Sequence, residues 1–413
     1  MLSLLYVVSM AVSFTNMFNG ELTPFYIKYI VATLWIVLWL FDFGIVKKRL
    51  LVRYRRVLFQ ICVPYILIAV WSCIVWIIDR PAVFNSQFVT RMISNVLYIL
   101  ITYTTAMVGI YFFKSRAVKL SAIAMFLSTI VNLGYVVAEY GIGMFLTYIP
   151  HIFSTTDYEW GSSLYNFSLA LEVQDITMAS GFYLIYYLFI SKEEFKRRVP
   201  YIAILLVCAV IGFKRTTLVG LVIACVIMWL IKKRNISLVN VIYLVSGVFI
   251  VITFAYIWII KSGILADLTL LFSIDANGRV YIYNILSSYY EIWPFYLGKG
   301  FAYVDKIMYE STGFAAHSVI VRMFAEIGFI PFFAWIIHYL IAIPKRMTLV
   351  YDSYSGRMVY LAVIYMFTIF FMENTMTLFC IQYSFALFAM LPSCLQTESI
   401  TKQDKDLTRV KSI

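Results

Sequence analysis

Long runs of apolar residues make up most of this chain, and short polar or basic segments separate them. Each run is about 17–24 residues long, which is the length a helix needs to span a hydrocarbon layer of roughly 30 Å. The runs are expected to be helical because lipid offers no hydrogen-bond partner to an unpaired backbone N–H or C=O group. A transmembrane β-barrel is excluded, since its strands would alternate apolar and polar residues over about ten positions.

About twelve such runs follow one another, so the sequence predicts an all-α, polytopic membrane protein. The predicted spans are Leu2–Phe18, Phe25–Val46, Val57–Ile78, Met92–Phe113, Leu120–Ala138, Ile176–Ile190, Val199–Phe213, Thr216–Ile231, Leu238–Ile260, His317–Ile343, Met358–Met372 and Thr375–Leu395. Residues 1–396 then form a single transmembrane domain, and residues 397–413 form a cytoplasmic tail that we expect to be disordered. Two longer loops remain, 139–175 and 261–316, and amphipathic helices are expected in the second.

Basic residues give this topology an orientation. Most of the 33 lysines and arginines lie in the short even-numbered loops and in the tail. By the positive-inside rule, both termini are expected in the cytoplasm, and the loops 139–175 and 261–316 outside. The basic residues of the short even-numbered loops and of the tail account for the net charge of +12, so nucleic acid is not expected as a partner. The six cysteines all fall in apolar runs and form no CxxC pair, which indicates packing residues rather than disulfides or metal ligands.

Lys214 and Arg215 form the whole turn between the seventh and eighth predicted spans, on the expected outer side. The positive-inside rule disfavours cations there. Charged residues near membrane depth are candidates for function because their burial is costly. We favour anion binding by this pair, and the alternative is that both side chains extend to lipid headgroups.

Arg279 and His317 are the other outward candidates. Arg279 begins a segment of partly helical spacing that should stop by Pro294, and it is explained equally well as a solvated charge or as a ligand. A lone histidine in a membrane protein is more often a packed residue than a catalyst, but His317 lies at the outer mouth of the tenth predicted span. Arg322 and Glu326 follow it, and the simpler interpretation of that pair is mutual neutralisation at i,i+4 spacing.

The sequence also bears on nucleotide and metal chemistry. The chain contains no P-loop, GxGxxG or HExxH motif, and the outer loops contain no DxD. Neither a cofactor nor a metal is therefore expected. Tyrosines and tryptophans near the span ends are typical of an interfacial belt, and those of the outer loops are alternatively platforms for sugar rings.

These segments together resemble the O-antigen ligase/polymerase superfamily, which includes the Wzy-type polysaccharide polymerases. The topology of the whole chain carries the resemblance, and four motifs make it more specific. They are Phe213-Lys214-Arg215-Thr216, similar to a Ser-Arg segment; Gly278-Arg279, which begins a segment ending in Gly298-Lys299-Gly300-Phe301; Ala316-His317-Ser318, where the family usually has His-Asn; and Glu326-Ile327-Gly328-Phe329, like Glu-x-Gly. Ser318 in place of Asn, and Tyr283 where Trp is common, are departures from the family pattern.

The resemblance implies polymerisation of lipid-linked oligosaccharide repeat units into an O-antigen, capsule or exopolysaccharide, on the outer face of the bacterial cytoplasmic membrane. The donor would be a glycan on undecaprenyl diphosphate. His317, Arg215 and Arg279 would be catalytic: the guanidinium groups would hold the diphosphate and the imidazole would accept the acceptor's proton. The substrate-binding residues would be Lys214, Arg322, Glu326, Lys299 and Tyr283. The implied partners are membrane lipids, a chain-length regulator and a flippase.

Three alternatives remain open. A flippase or other transporter would share the helices, but it would be expected to show an internal repeat and charges near the membrane midplane, neither of which the sequence contains. An O-antigen ligase belongs to the same superfamily and differs only in its acceptor. A metal-dependent glycosyltransferase would need acidic residues in the first outer loop, where Glu21 alone is present.

Overall fold

The structure is a computed structural model that describes the chain except for residues 15–24, 47–50, 81–82, 152–162, 165–166, 168–173, 213, 234–235, 272–278, 314–315 and 411–413. All regular structure among the described residues is helical. In chain order the helices are α1 Leu2–Phe14, α2 Phe25–Val46, α3 Leu51–Asp79, α4 Ser86–Phe113, α5 Arg116–Tyr140, α6 Ile142–His151, α7 Gln174–Ile185, α8 Phe195–Ile211, α9 Arg215–Lys233, α10 Leu238–Lys261, α11 Ile264–Leu271, α12 Arg279–Ser287, α13 Tyr303–Thr312, α14 Val319–Ile327, α15 Phe329–Ile337, α16 Ile343–Val350, α17 Ser353–Met372 and α18 Phe379–Val410. Two π-helical turns, Tyr186–Ile190 and His338–Ala342, extend α7 and join α15 to α16.

Seven of the described helical segments are long and apolar enough to cross a membrane. They are Arg55–Asp79, Ser86–Phe113, Arg116–Tyr140, Arg215–Lys232, Leu238–Lys261, Phe329–Val350 and Ser353–Met372. Shorter apolar helices, Leu2–Phe14, Asp175–Ile190 and Phe379–Leu395, occupy three further predicted spans. The expectation of an all-α, polytopic membrane protein is therefore confirmed at the level of helix type, length and composition.

One face of α10 shows the kind of surface that these helices would present to lipid. Leu244, Val248 and Val251 recur at helical spacing and are 56%, 53% and 68% exposed. Ile242 and Thr253, on the other side of the helix, are completely buried against the protein. An apolar stripe of this kind would be unfavourable in water and is favourable against acyl chains. By contrast, α17 lies at the centre of the molecule. In its apolar stretch of 18 residues, 83% of the residues are buried inside the protein.

Polar residues in the short connections begin several helices. The Asn85 side chain accepts hydrogen bonds from the Gln87 and Phe88 amides at the start of α4. The Asp352 carboxylate accepts one from the Ser355 amide at the start of α17. Such caps satisfy amide groups that the first turn of a helix leaves without partners.

The tenth predicted span, His317–Ile343, is divided in the structure. The helix α14 ends at Gly328, whose φ of +80° favours glycine, and the helix that can span a membrane begins at Phe329. Every residue of α14 is buried inside the protein. Its apolar sequence therefore reflects packing within the protein and not contact with lipid, which the run length alone could not distinguish.

The loops and the tail agree only partly with expectation. Helices do occur in the loop 261–316, where α11, α12 and α13 lie, and α12 ends at Ser287, before Pro294. The helix α18 continues past Thr397 to Val410, and the expected disorder of the tail 397–413 stays a prediction. No glycine or proline interrupts that stretch, so nothing in its sequence breaks the helix that enters it. The six cysteines are free thiols, as predicted.

Candidate functional site

The turn between α17 and α18, residues 373–378, brings together parts of the chain that are distant in sequence. The Arg322 Nη1 donates to the Asn374 amide oxygen at 2.7 Å. The Lys214 ammonium lies 3.6 Å from a Glu373 carboxylate oxygen. The Val319 amide donates to the Glu373 carbonyl at 3.4 Å. This segment, called here the 373–378 turn, therefore contacts two of the predicted substrate-binding residues and the helix that follows His317.

Arg322 is only 1% exposed and is held on several sides. Its Nη1 donates to an Asp305 carboxylate oxygen at 3.2 Å, and its Nη2 contacts the Met376 sulfur at 3.1 Å. Glu326 lies one turn further along α14, with its Oε2 3.9 Å from the Arg322 Nε. The expected i,i+4 pair is thus present, but the shorter ionic contact of Arg322 is with Asp305.

Asp305 extends this network toward the surface. Its second carboxylate oxygen lies 3.6 Å from an Nη2 of Arg91, whose side chain is half exposed. The Asn374 amide nitrogen also donates to Asp305, at 3.2 Å. The buried charge of Arg322 is therefore balanced by two carboxyl groups and hydrogen-bonded, as buried ion pairs require. In this structure Arg322 joins α13 and α14 to the 373–378 turn, and its predicted role in substrate binding stays a prediction.

Glu326 is completely buried and caps a helix. One carboxylate oxygen accepts from the Asp305 amide in the first turn of α13, at 3.2 Å. Burial raises the pKa of Glu326 from 4.5 to about 7, and the attraction of Arg322 offsets only part of this increase. The carboxyl lies in α14, before the membrane-spanning helix. The Glu326 side chain is surrounded by protein, and its predicted contact with substrate likewise stays a prediction.

His317 is half-buried and immediately precedes the cap of α14. The Ser318 hydroxyl accepts from the Val321 amide at 3.4 Å and donates to the Phe370 carbonyl at 3.3 Å. Serine and asparagine are both favoured N-cap residues. Ser318 can therefore take the place of the asparagine expected from the family pattern without loss of the helix cap, and His317 is positioned by that cap.

The two glycine motifs of the sequence pack against each other. The Gly300 amide donates to the Glu326 carbonyl at 2.7 Å, and the Phe329 amide donates to the Tyr296 carbonyl at 2.9 Å. Gly298 and Gly328 have φ angles of +90° and +80°. A Cβ on Gly298 would lie 2.4 Å from the Glu326 carbonyl oxygen. Only glycine allows the two backbones to approach this closely.

The helix α3 supports this junction from the side. The Trp71 indole donates to the carbonyls of Leu297 and Ile327, both at 3.0 Å. The Trp76 indole donates to the Lys299 carbonyl at 2.7 Å. Buried tryptophan N–H groups usually find such partners, and here they attach the glycine junction to α3, which is long and apolar enough to span a membrane.

Tyr283 and Lys299 have different surroundings. The Tyr283 hydroxyl is 3.0 Å from the Tyr256 hydroxyl, which donates to the Phe371 carbonyl at 3.3 Å, so Tyr283 lies near the 373–378 turn. The Lys299 side chain is directed elsewhere. Its pKa is lowered, first by burial and then by the neighbouring Arg80 charge, while Asp79 acts in the opposite sense. Lys299 thus contributes its backbone to the glycine junction and its ammonium to a separate surface.

The two predicted catalytic arginines each begin a helix. Arg215 is exposed and follows Lys214 at the start of α9. Arg279 begins α12, and its side chain lies outside the described residues. Sequence reasoning missed Asp305, Glu373 and Asn374. A Glu-Asn pair between two apolar runs, in a connection on the same side as the long loop, was the signal that could have identified the last two.

Comparison with known proteins adds no relative. No protein-family model matches the chain, and no curated protein matches it significantly.

Proposed function

We propose that this chain polymerises lipid-linked oligosaccharide repeat units into a surface polysaccharide on the outer face of the bacterial cytoplasmic membrane. In this proposal the chain crosses the membrane about twelve times, both termini are cytoplasmic, and the long loop faces outward. The observation that carries the proposal is the convergence on the last residues of α17 and the 373–378 turn that follows it. Lys214 contacts Glu373, Tyr283 reaches Phe371 through Tyr256, and the cap after His317 is bonded to Phe370.

The reaction follows from the residue types at this place. The acceptor hydroxyl oxygen attacks the anomeric carbon of the donor glycan, and the bond from that carbon to the diphosphate oxygen breaks. His317 takes the hydroxyl proton, because an imidazole titrates near neutral pH. Undecaprenyl diphosphate leaves with the bonding electron pair, and the positive charges of Arg215, Arg279 and Lys214 stabilise its charge.

Within this proposal, the buried and the more exposed charges have different roles. Arg322 and Glu326 fix the outer helices, whereas Lys214, Arg215 and His317 lie at the edge of the buried network, with Lys214 and His317 half-buried and Arg215 exposed. A diphosphate on a lipid must reach its cations from the membrane boundary, and half-buried or exposed side chains at helix starts allow that approach. The helix start at Arg215 also favours an anion, because amide groups of the first turn point outward.

The test is genetic and chemical. Deletion of the gene in its host should leave single repeat units displayed at the surface, and re-expression should restore long chains. Repeat units trapped on the cytoplasmic side would instead indicate a flippase. Long polymer that stays on its lipid carrier would indicate a ligase.

Complementation with point variants tests the site. We expect Arg215→Ala, Arg279→Ala and His317→Ala each to fail to restore long chains, at protein levels equal to the unaltered chain. Arg116→Ala is the matched control. Arg116 is also an exposed arginine at the start of a helix, but it lies on the proposed cytoplasmic side. Full-length polysaccharide from all three site variants would refute the assignment.

A further inference from the structure

An apolar groove runs along the molecule between α3 and α15. A cavity of about 370 Å³ lies in it. Pro64, Leu67 and Trp71 line one wall, and Pro331, Ala334 and Trp335 line the other. This groove lies on two helices that are long and apolar enough to span a membrane, so its open side would face lipid.

The groove continues into a basic end. A second cavity, of about 960 Å³, shares Val63 and His338 with the first. A third, of about 290 Å³, shares Arg56, Gln60 and Arg346 with the second. Three arginines line these two cavities and expose their side chains: Arg55, Arg56 and Arg346.

The helix geometry at the centre of the groove is unusual on both sides. Pro64 has no amide N–H, so the Gln60 carbonyl of α3 loses its regular helix donor. The His338 imidazole Nε2 lies 2.9 Å from that carbonyl oxygen. His338 begins the π turn His338–Ala342, and π turns inside α-helices are frequent at functional sites. The two helices are therefore joined at the junction between the apolar and the basic parts of the groove.

The basic end is far from the site described above. Ser72 and Trp76 of α3 bond to Phe301 and Lys299 at the glycine junction. Arg56 lies twenty residues earlier in the same helix, which corresponds to roughly 30 Å at 1.5 Å per residue. That distance is about the thickness of a hydrocarbon layer, so the two ends of α3 reach opposite membrane faces.

We propose that this groove binds one anionic glycerophospholipid, with its phosphate at Arg55, Arg56 and Arg346 and an acyl chain along the apolar walls. Charge complementarity selects the headgroup, because guanidinium groups bind phosphate oxygens in a planar, paired geometry. The apolar part of the groove fits an acyl chain, since most of the side chains that form its walls are apolar. The site is independent of the polymerase proposal and lies in the opposite leaflet.

The test uses the full-length protein in detergent and two probes, dioleoyl phosphatidylglycerol and dioleoyl phosphatidylcholine, with bound lipid measured by native mass spectrometry. Phosphatidylglycerol should bind more tightly. The triple variant Arg55→Gln/Arg56→Gln/Arg346→Gln should lose roughly tenfold or more of that affinity, because each basic residue near a membrane surface contributes on the order of a fivefold effect. Its affinity for phosphatidylcholine should change little.

A matched triple variant removes the same charge elsewhere: Arg116→Gln/Lys196→Gln/Arg197→Gln, all exposed residues of the proposed cytoplasmic side. It should bind both lipids as the unaltered chain does. Ala334→Trp keeps all three arginines but fills the groove, and should weaken the binding of both lipids. Equal affinity of the unaltered chain for the two lipids would overturn the proposal. An equal loss in the two triple variants, or unchanged binding by Ala334→Trp, would also overturn it.

Discussion

Replacing Glu326 by glutamine should make the protein more stable at high pH and remove part of the pH dependence of its stability. The carboxyl is completely buried, and burial raises its pKa from 4.5 to about 7. Because the folded protein holds the proton more tightly than the unfolded chain, this group's stabilising contribution is complete below pH 4.5. It is lost as the pH rises through about 7.

The size of the effect follows from the same two values. The increase in the pKa of Glu326 from 4.5 to about 7 corresponds to a free energy of unfolding on the order of 3 kcal/mol, because each pKa unit contributes about 1.4 kcal/mol. Glutamine keeps the shape and an oxygen that can accept from the Asp305 amide, so the cap of α13 is retained. It gives up the attraction of the Arg322 guanidinium, which is 3.9 Å away. We therefore expect Glu326→Gln to be more stable than the unaltered chain at pH 8 by about 1–3 kcal/mol.

Thermal unfolding of purified protein in one detergent, at pH 5 and at pH 8, measures this difference. The apparent melting temperature at pH 8 should rise by a few degrees in Glu326→Gln, since 1 kcal/mol moves it by roughly 2–4 °C in domains of moderate size. At pH 5 the two proteins should differ less. Glu310→Gln is the control, because the Glu310 side chain in α13 is 55% exposed. A variant that is less stable than the unaltered chain at pH 8, or one that keeps its full pH dependence, would refute the reasoning.

Three further predictions concern the same outer region. Arg322→Met should lower stability by about 3–5 kcal/mol in thermal unfolding, because it leaves buried carboxyl groups without their cation. Arg91→Met replaces a half-exposed arginine and should lower stability much less. Similar melting temperatures for the two variants would contradict this prediction. Gly328→Ala should lower the melting temperature of the protein far more than Gly313→Ala. Both glycines have a positive φ, but a Cβ at Gly328 would lie 2.3 Å from the Tyr296 carbonyl oxygen, whereas a Cβ at Gly313 would meet open space. Glu310→Cys should react with a membrane-impermeant maleimide in intact cells and Lys196→Cys should not, and the reverse pattern would invert the proposed orientation.

The sequence predicted the helices well because one physical rule governs them. Runs of about twenty apolar residues must be helical in lipid, so most predicted spans coincide with helices to within a few residues. The same rule failed at His317–Ile343. A run buried in protein and a run buried in lipid have the same composition, and only the positive φ of Gly328 separates α14 from the spanning helix.

The candidate site was predictable in part. Lys214 and Arg322 were conspicuous because a charge in an apolar run is rare, and both do contact the 373–378 turn. Their partners could not be identified in the same way. Asp305 lies in α13, an ordinary amphipathic helix, whereas Glu326 lies on the same face of α14 as Arg322. No local pattern indicates that the Asp305 carboxylate makes the shorter contact with Arg322.

The distinction between buried and half-exposed charges determines how loss of function should be interpreted. Arg322 and Asp305 act on the protein's own helices, so variants that remove their charges should lose activity together with stability. Arg215 and His317 lie at the edge of that network, and the side chain of Arg215 is exposed. Removal of the Arg215 guanidinium should therefore abolish polymer formation while the melting temperature stays the same, because exposed surface substitutions usually change stability by less than about 0.5 kcal/mol. If Arg215→Ala instead loses activity only in proportion to its stability, the anion-binding role belongs to another residue.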